Sequence, residues 1–183
     1  MKTFLATTAL IITAAAAHAE NPMVGGAEMF ADQPIAANAS NAPNLTTLVA
    51  AAKQAGLVDT LASDGPFTVF APTDDAFGMI SEKSLMALMA DNNKAQLAQI
   101  LTCHVVAAEA FSTDIAGMIA DDGGAHDVPT VGGCTLSAYM QGGKLKLKDE
   151  NGRVATVTIA DVDQSNGVVH VIDRVLLPAG QAG

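Results

Sequence analysis

The spacing of apolar residues changes along the chain from a helical period to an alternating one. Between residues 44 and 104, apolar side chains mostly recur three and four positions apart, which is typical of amphipathic helices. From residue 128 onward they alternate with polar side chains, which is typical of strands with one buried face. Because helices come first and strands follow, the pattern predicts an α+β fold.

The helical half also contains a strand at residues 66–73, a short β-branched and aromatic run. Asn44 is a favourable N-cap for a helix that ends at Gly56, and Thr73 is one for a helix behind the strand. Another helix is predicted around residues 84–90. In the helix after that, Leu97, Ile100, Leu101 and His104 lie on one face, so His104 extends a stripe of residues that is expected to be buried.

The strand half contains two clear hairpin signals, Gly142-Gly143 and Asn151-Gly152. Between them the run KLKLK at residues 144–148 predicts a strand with two buried leucines and three solvent-facing lysines. Residues 168–178 form a nearly continuous apolar run, which predicts a central strand covered on both faces.

The chain begins with the pattern of a secretory leader. A basic start at Lys2 is followed by an apolar run and a small-residue cleavage site, so we expect residues 1–19 to be removed after Ala19. A membrane anchor is the alternative, but the run is short for a bilayer and no second long apolar segment follows. The expected product is secreted or periplasmic, without membrane insertion. Residues 20–43 are predicted to be an arm that packs on the domain or stays loose, and residues 44–180 the domain.

Composition excludes some partners. The formal net charge of −10 disfavours nucleic acid and anionic lipid, and the absence of Trp leaves no evident platform for stacking bases. The two cysteines, Cys103 and Cys134, would enter an oxidising compartment, where a disulfide is the favoured interpretation over two free thiols.

Cys103 is followed by His104, a pair of residue types used in thiol catalysis and in metal sites. Neighbouring side chains point well apart on a helix or a strand, so the two do not easily form a thiol–imidazole dyad. A metal site would have to gather the cysteines with His104, His126 or His170, yet no ligand spacing supports one. The sequence therefore predicts no catalytic residue, no metal and no cofactor, with His104 a core residue whose ring nitrogens are satisfied.

Three motifs resemble the fasciclin domain family. FTVFAPTDDAF at residues 67–77 resembles its first box, and DVDQSNGVVHVIDRVLLP at residues 161–178 resembles its second. LTCHVV at residues 101–106 falls where the family typically carries Tyr-His, with Cys103 in place of the tyrosine. The resemblance covers about residues 44–178 and implies a β-sandwich-like wedge with helices packed on one side.

The resemblance also implies a non-enzymatic role in adhesion or protein–protein interaction. The expected partner is a cell-surface or extracellular macromolecule, either protein or glycan, and the oligomeric state stays open. The resemblance makes His104, Asp161 and Val162 candidate binding residues, although a core histidine and a solvated turn aspartate are the simpler interpretations. Two alternatives remain, a binding protein for a small apolar ligand held between helices and sheet and, more weakly, a thiol or metal site at Cys103.

Overall fold

The structure, a computed structural model, describes residues 21–181, so the predicted leader at residues 1–19 lies outside the described residues. It contains seven α-helices within that range: α1 Ile35–Asn41, α2 Thr46–Ala55, α3 Val58–Ala62, α4 Asp74–Gly78, α5 Glu82–Leu88, α6 Lys94–Thr102 and α7 Ser112–Asp121. The strands of the same range are β1 Met23–Val24, β2 Ala27–Glu28, β3 Phe67–Pro72, β4 Val105–Val106, β5 Ala125–Pro129, β6 Thr135–Gln141, β7 Lys144–Lys148, β8 Val154–Gln164 and β9 Gly167–Ile172.

A seven-stranded, nearly closed sheet forms the frame, in the order β4-β3-β9-β8-β7-β6-β5, with helices on one side. Strands β3 and β9 run parallel with Val69 opposite Val169, and the remaining neighbours in this sheet are antiparallel. Every residue of β9 is buried, as the apolar run predicts for a central strand. The strand is shorter than predicted, because it ends at Ile172 and the chain continues to residue 178 as irregular structure, buried over residues 175–178.

Strand β8 divides the interior into two parts. Its pairing with β9 shifts register between Val157 and Ile159 and again between Ile159 and Val162. Such bulges bend a strand and change which side chains face the core. Val157 consequently packs in the core cluster that contains Leu147, whereas Val162 packs in a second cluster with Val169.

Helix α2 is capped by a residue far along the chain rather than by Asn44, so the N-cap prediction is wrong. Leu45 occupies the N-cap position and makes no side-chain cap. The Asp74 carboxylate accepts hydrogen bonds from the backbone N–H groups of Thr46, at 3.3 Å, and Thr47, at 2.7 Å. The other end agrees with the prediction, because Gly56 has the left-handed φ of 74° that a helix C-cap requires.

Residues 21–42 pack on the domain through the hairpin β1–β2 and helix α1. Val24 and Ile35 are buried in the same core cluster as Val69 and Val169. Polar contacts add to this burial, since Ser165 donates its backbone N–H to the Gln33 carbonyl at 3.0 Å. Within residues 21–181, none of the helices has the length and apolar character needed to cross a bilayer.

Candidate functional site

His104 lies at the end of α6, inside the core. Its Nδ1 is 2.8 Å from the Ile100 carbonyl, to which it donates, and its Nε2 accepts the backbone N–H of Leu176 at 2.9 Å. Only 1% of the residue is exposed, and this burial lowers the pKa of His104 to about 4. The imidazole is therefore neutral near pH 7 and joins α6 to the C-terminal segment.

Cys103 and His104 point to different partners. Cys103 forms a disulfide with Cys134, with Cα atoms 5.4 Å apart, while the His104 ring points to Leu176. The turn before Cys134 lies tightly against α6, because a Cβ on Gly132 would come within 2.7 Å of the Cys103 nitrogen. A thiolate or metal ligand at Cys103 would first require reduction of this disulfide.

Asp161 lies in the bulged part of β8 and caps a helix of another region. It is the one non-glycine residue with positive φ, 59°, in the part of the chain that the structure describes. Its carboxylate accepts the backbone N–H of Ser112 at 2.6 Å and also the Ser112 hydroxyl. Both bonds lie at the first turn of α7, where a negative charge is favourable.

His170 continues the same network from the neighbouring strand β9. Its Nδ1 accepts the backbone N–H of Asp161 at 3.2 Å, and its Nε2 donates to the Ala110 carbonyl at 2.9 Å. The ring is fully buried and stacks on Phe70, with ring centroids 5.7 Å apart. Burial lowers the pKa of His170, against the opposing effects of the Ala110 carbonyl and the Asp161 carboxylate.

Thr68 on β3 completes a clasp around the segment between β4 and α7, residues 107–111, which we call the β4–α7 loop. The Thr68 hydroxyl donates to the Ala108 carbonyl at 2.6 Å and accepts the Ala110 N–H at 2.9 Å. Residues 107–109 of this loop are exposed, so the clasp presents a short, fixed surface segment. Sequence reasoning missed Thr68, although a buried hydroxyl in an apolar strand is a signal that could have found it.

The structure thus leaves one of the three candidate binding residues at the surface and buries the other two, which both line the apolar cavity described below. The Asp161 side chain is 37% exposed, whereas His104 and Val162 are each 1% exposed. Asp161 and Val162 adjoin in β8, but His104 belongs to the opposite end of β4 and faces the C-terminal segment. Of the three, Asp161 is the residue that a partner can reach.

A second feature is an apolar cavity of about 90 Å³ between the helices and the sheet. The sheet forms one wall, with Val69 and Val169 among its residues, and helices α1, α2 and α3 and the end of α6 form the others. The α1 wall includes three small side chains, Ala36, Ala39 and Ser40, beside Ile35 and Asn38, and the small side chains leave space that larger residues would fill. A partly open apolar cavity of this kind is a feature of sites for small apolar molecules.

Buried amides hold the helices over this cavity. The Asn166 side chain accepts the backbone N–H of Ile35 at 2.9 Å and donates to the carbonyls of Leu61 and Ser63. The Asn38 amide donates to the Gln164 side chain, which lies beside the cavity. Asn166 and Gln164 both belong to the segment 161–178. This segment therefore holds α1 and α3 in place.

Within residues 21–181, no group of three or more His, Cys, Asp or Glu side chains is placed to hold a metal ion. His126, one of the possible ligands, has its Nδ1 2.6 Å from a carboxylate oxygen of Asp122. His104, His170 and Cys103 have the separate partners described above.

Comparison with known proteins agrees with this architecture. The fasciclin domain profile matches residues 43–178. Protein sll1483 of Synechocystis sp. is 42% identical over 73% of this chain and 67% of its own length, and the cell surface glycolipoprotein MPB83 of Mycobacterium bovis is 34% identical over 89% and 69%. The structure of a domain pair from the insect cell adhesion molecule fasciclin I has a TM-score of 0.70 at 20% identity. The match covers 79% of this chain and about half of the fasciclin I chain.

The chain belongs to the fasciclin family, as its three motifs predict. The α+β wedge that the resemblance implies is confirmed by the sheet and by the structural neighbour. Domains of this family are typically non-enzymatic modules of adhesion proteins.

Proposed function

We propose that this protein is an exported, non-enzymatic interaction module that binds a protein or glycan of a cell surface or extracellular matrix. Family membership and the adhesion role named for the fasciclin I structure support the class of function. The predicted leader and the cell-surface location named for the relative MPB83 support export.

The clasped β4–α7 loop is the observation that carries this proposal, and it supplies the contact surface. Three side chains from the sheet, those of Thr68, Asp161 and His170, hold the loop and the start of α7 in one conformation. A loop fixed in this way loses little conformational entropy when a partner binds. The half-exposed Asp161 carboxylate and exposed Glu109 would give this surface a negative charge.

The test is binding of the purified protein to a panel of matrix proteins, surface glycans and cell-envelope fractions, beside an unrelated protein of equal negative charge. Glu109→Lys is expected to weaken binding to whichever component is found, because it reverses a charge within the loop. Glu28→Lys, at an exposed position on the hairpin β1–β2, is the matched control. If the protein binds no component above the level of the charge-matched protein, the proposed interaction function is refuted. If the two variants bind equally well, the β4–α7 loop is not the contact surface.

The apolar cavity favours a second function, the binding of a small apolar ligand. Its walls combine sheet and helix residues, and its buried polar neighbours bond within the protein. Native mass spectrometry of the protein purified from its own host is expected to show a bound adduct that denaturation releases. A single unliganded mass, under conditions that preserve a known lipid complex, would count against this function.

One domain presents one copy of the β4–α7 loop. Bridging two surfaces would therefore require an oligomer or a second binding site on the same molecule. The two proposed functions are compatible, because the loop is clasped by Thr68, Asp161 and His170, none of which lines the cavity.

A further inference from the structure

We propose that the cavity binds the aliphatic tail of a slender monocarboxylic acid, with the carboxylate at the surface beside Lys53. This inference rests on the second function proposed above and names its ligand class. It follows from the shape of the cavity, from the bonding of its polar neighbours and from the single charge in its lining.

The volume selects a narrow group. A cavity of about 90 Å³ is smaller than the engineered apolar cavity of about 150 Å³ that admits benzene, so it would enclose only the terminal carbons of an alkyl chain, and the remaining carbons would lie along its open side. A linear chain can enter such a space end first, whereas a fused ring system cannot enter without moving the walls. Phe67 supplies the one phenyl ring of the lining, and a single ring offers no pair of faces between which a ligand ring could stack.

The polar groups of the lining leave no interior partner for a polar ligand. Both ring nitrogens of His104 are bonded, to the Ile100 carbonyl and the Leu176 N–H. The Asn38 amide bonds to Phe30 and to Gln164. A ligand group that replaced these bonds would gain little, so the buried part of the ligand is expected to be hydrocarbon.

Lys53 is the charged residue of the lining, and it is exposed on the last turn of α2. Among the described residues, the ion pairs within 4.0 Å include no lysine, so Lys53 is distinguished from the other lysines by its place in the cavity lining. An unpaired ammonium at the edge of an apolar cavity favours an anionic head group over a neutral or cationic one.

The test uses three probes with the same tail, octanoate, octanol and octylammonium, each titrated below its micelle concentration into the purified protein. Calorimetry gives the affinities, and methyl NMR locates the tail. Octanoate is expected to bind most tightly and to shift the methyl signals of Val69 and Val169. The methyl signals of Ile115 and Leu147, in the other core cluster, serve as internal controls and are expected to stay in place.

Two variant pairs separate the tail site from the head site. Lys53→Gln should lower the affinity for octanoate roughly two- to fivefold, as expected for loss of an exposed ion pair, and leave the affinity for octanol unchanged. Lys83→Gln on α5 should change neither affinity. Ala39→Leu places a larger side chain at the cavity and should abolish octanoate binding. Ala37→Leu, on the same helix but outside the lining, should retain it.

The outcomes distinguish the ligand class from the function. If octanol or octylammonium binds as tightly as octanoate, the proposed preference for a carboxylic acid is refuted, while the binding of a small apolar ligand stands. If none of the three shifts the Val69 and Val169 signals, both are refuted. This last measurement uses the unmodified protein, so it decides the question even if Ala39→Leu fails to fold.

Discussion

The Asp161 carboxylate accepts the backbone N–H of Ser112 at 2.6 Å, across 49 positions of sequence. One side chain in a bulge of β8 thereby caps helix α7 and fixes the end of the β4–α7 loop. The fold holds an exposed loop through a residue that belongs to the sheet, so the stability of the sheet and the shape of the proposed contact surface are coupled.

Replacement of Asp161 should therefore destabilise the protein. Asp161→Ala removes the cap of α7 and places a Cβ-bearing residue without a polar side chain at φ 59°, at a combined cost of roughly 1–3 kcal/mol in the free energy of unfolding. Asp161→Asn should cost less, because Asn tolerates this conformation and can still cap. Urea denaturation measures both, and Asp163→Ala, at an exposed position of β8, is the control. Equal losses at residues 161 and 163 would contradict the role of the cap.

Asp74 and Asp75 provide a matched pair on α4. Burial by itself would raise the pKa of Asp74, but the hydrogen bonds from Thr47 and Thr46 outweigh it and hold that pKa below its usual value. Asp74→Ala should cost about 1–2 kcal/mol because it uncaps α2, whereas Asp75→Ala, at an exposed position, should cost less.

The sign of the pH effect follows from the depressed pKa of Asp74. Its stabilising contribution is present above the unfolded value of about 3.9 and is lost as the pH falls through the folded value. Denaturation of Asp74→Ala at pH 3 and pH 6 should therefore show a smaller difference from the unmodified protein at the lower pH. A constant difference would mean that the carboxylate charge does not carry the cap.

Local patterns predicted the elements whose apolar residues recur at a regular period or form an uninterrupted run. The period of Leu97, Ile100 and Leu101 predicted α6 and the burial of His104, and the apolar run predicted β9 as the central strand. The two boxes and their order predicted the family, and with it the arrangement of sheet and helices.

Elements that depend on distant partners were not predicted. Helix α7 begins after Phe111, which makes no N-cap side-chain bond, because its cap comes from Asp161. Helix α1 lies in an Ala- and Asn-rich segment whose folding depends on the Asn166 amide. The cavity likewise depends on small residues of α1 facing the sheet, a relationship that no local pattern contains.

The buried histidines should make stability depend on pH above the range of the carboxylates. The pKa of His104 falls from 6.5 to about 4 on folding, so the unfolded chain binds the proton first and stability is lost as the pH falls below 6.5. The loss for this group is roughly 3 kcal/mol by pH 4, and His170 acts in the same direction. Denaturation midpoints between pH 7 and pH 5 measure the slope.

His104→Gln should reduce that slope, because the new side chain does not titrate, even though the variant starts from a lower stability. His126→Gln, at a partly exposed position beside Asp122, is the matched control for replacement of a histidine by glutamine outside the core. An unchanged slope in His104→Gln would show that the imidazole is not the group that takes up the proton on unfolding.

The disulfide gives the most direct prediction. The Cys103–Cys134 bond closes a sequence separation of 31 residues, which in the chain-entropy model contributes roughly 3.5–4 kcal/mol to the free energy of unfolding. Intact mass after alkylation of the denatured protein, recovered from the periplasm or the medium of its host, should show no modified thiol and no dimer until a reductant is added, and then two modified thiols. The same spectrum tests removal of residues 1–19.

Reduction should lower the denaturation midpoint of the protein and leave that of a Cys103→Ala/Cys134→Ala variant unchanged. Two free thiols without reduction would instead make metal content and thiol reactivity the next measurements, ahead of any binding assay.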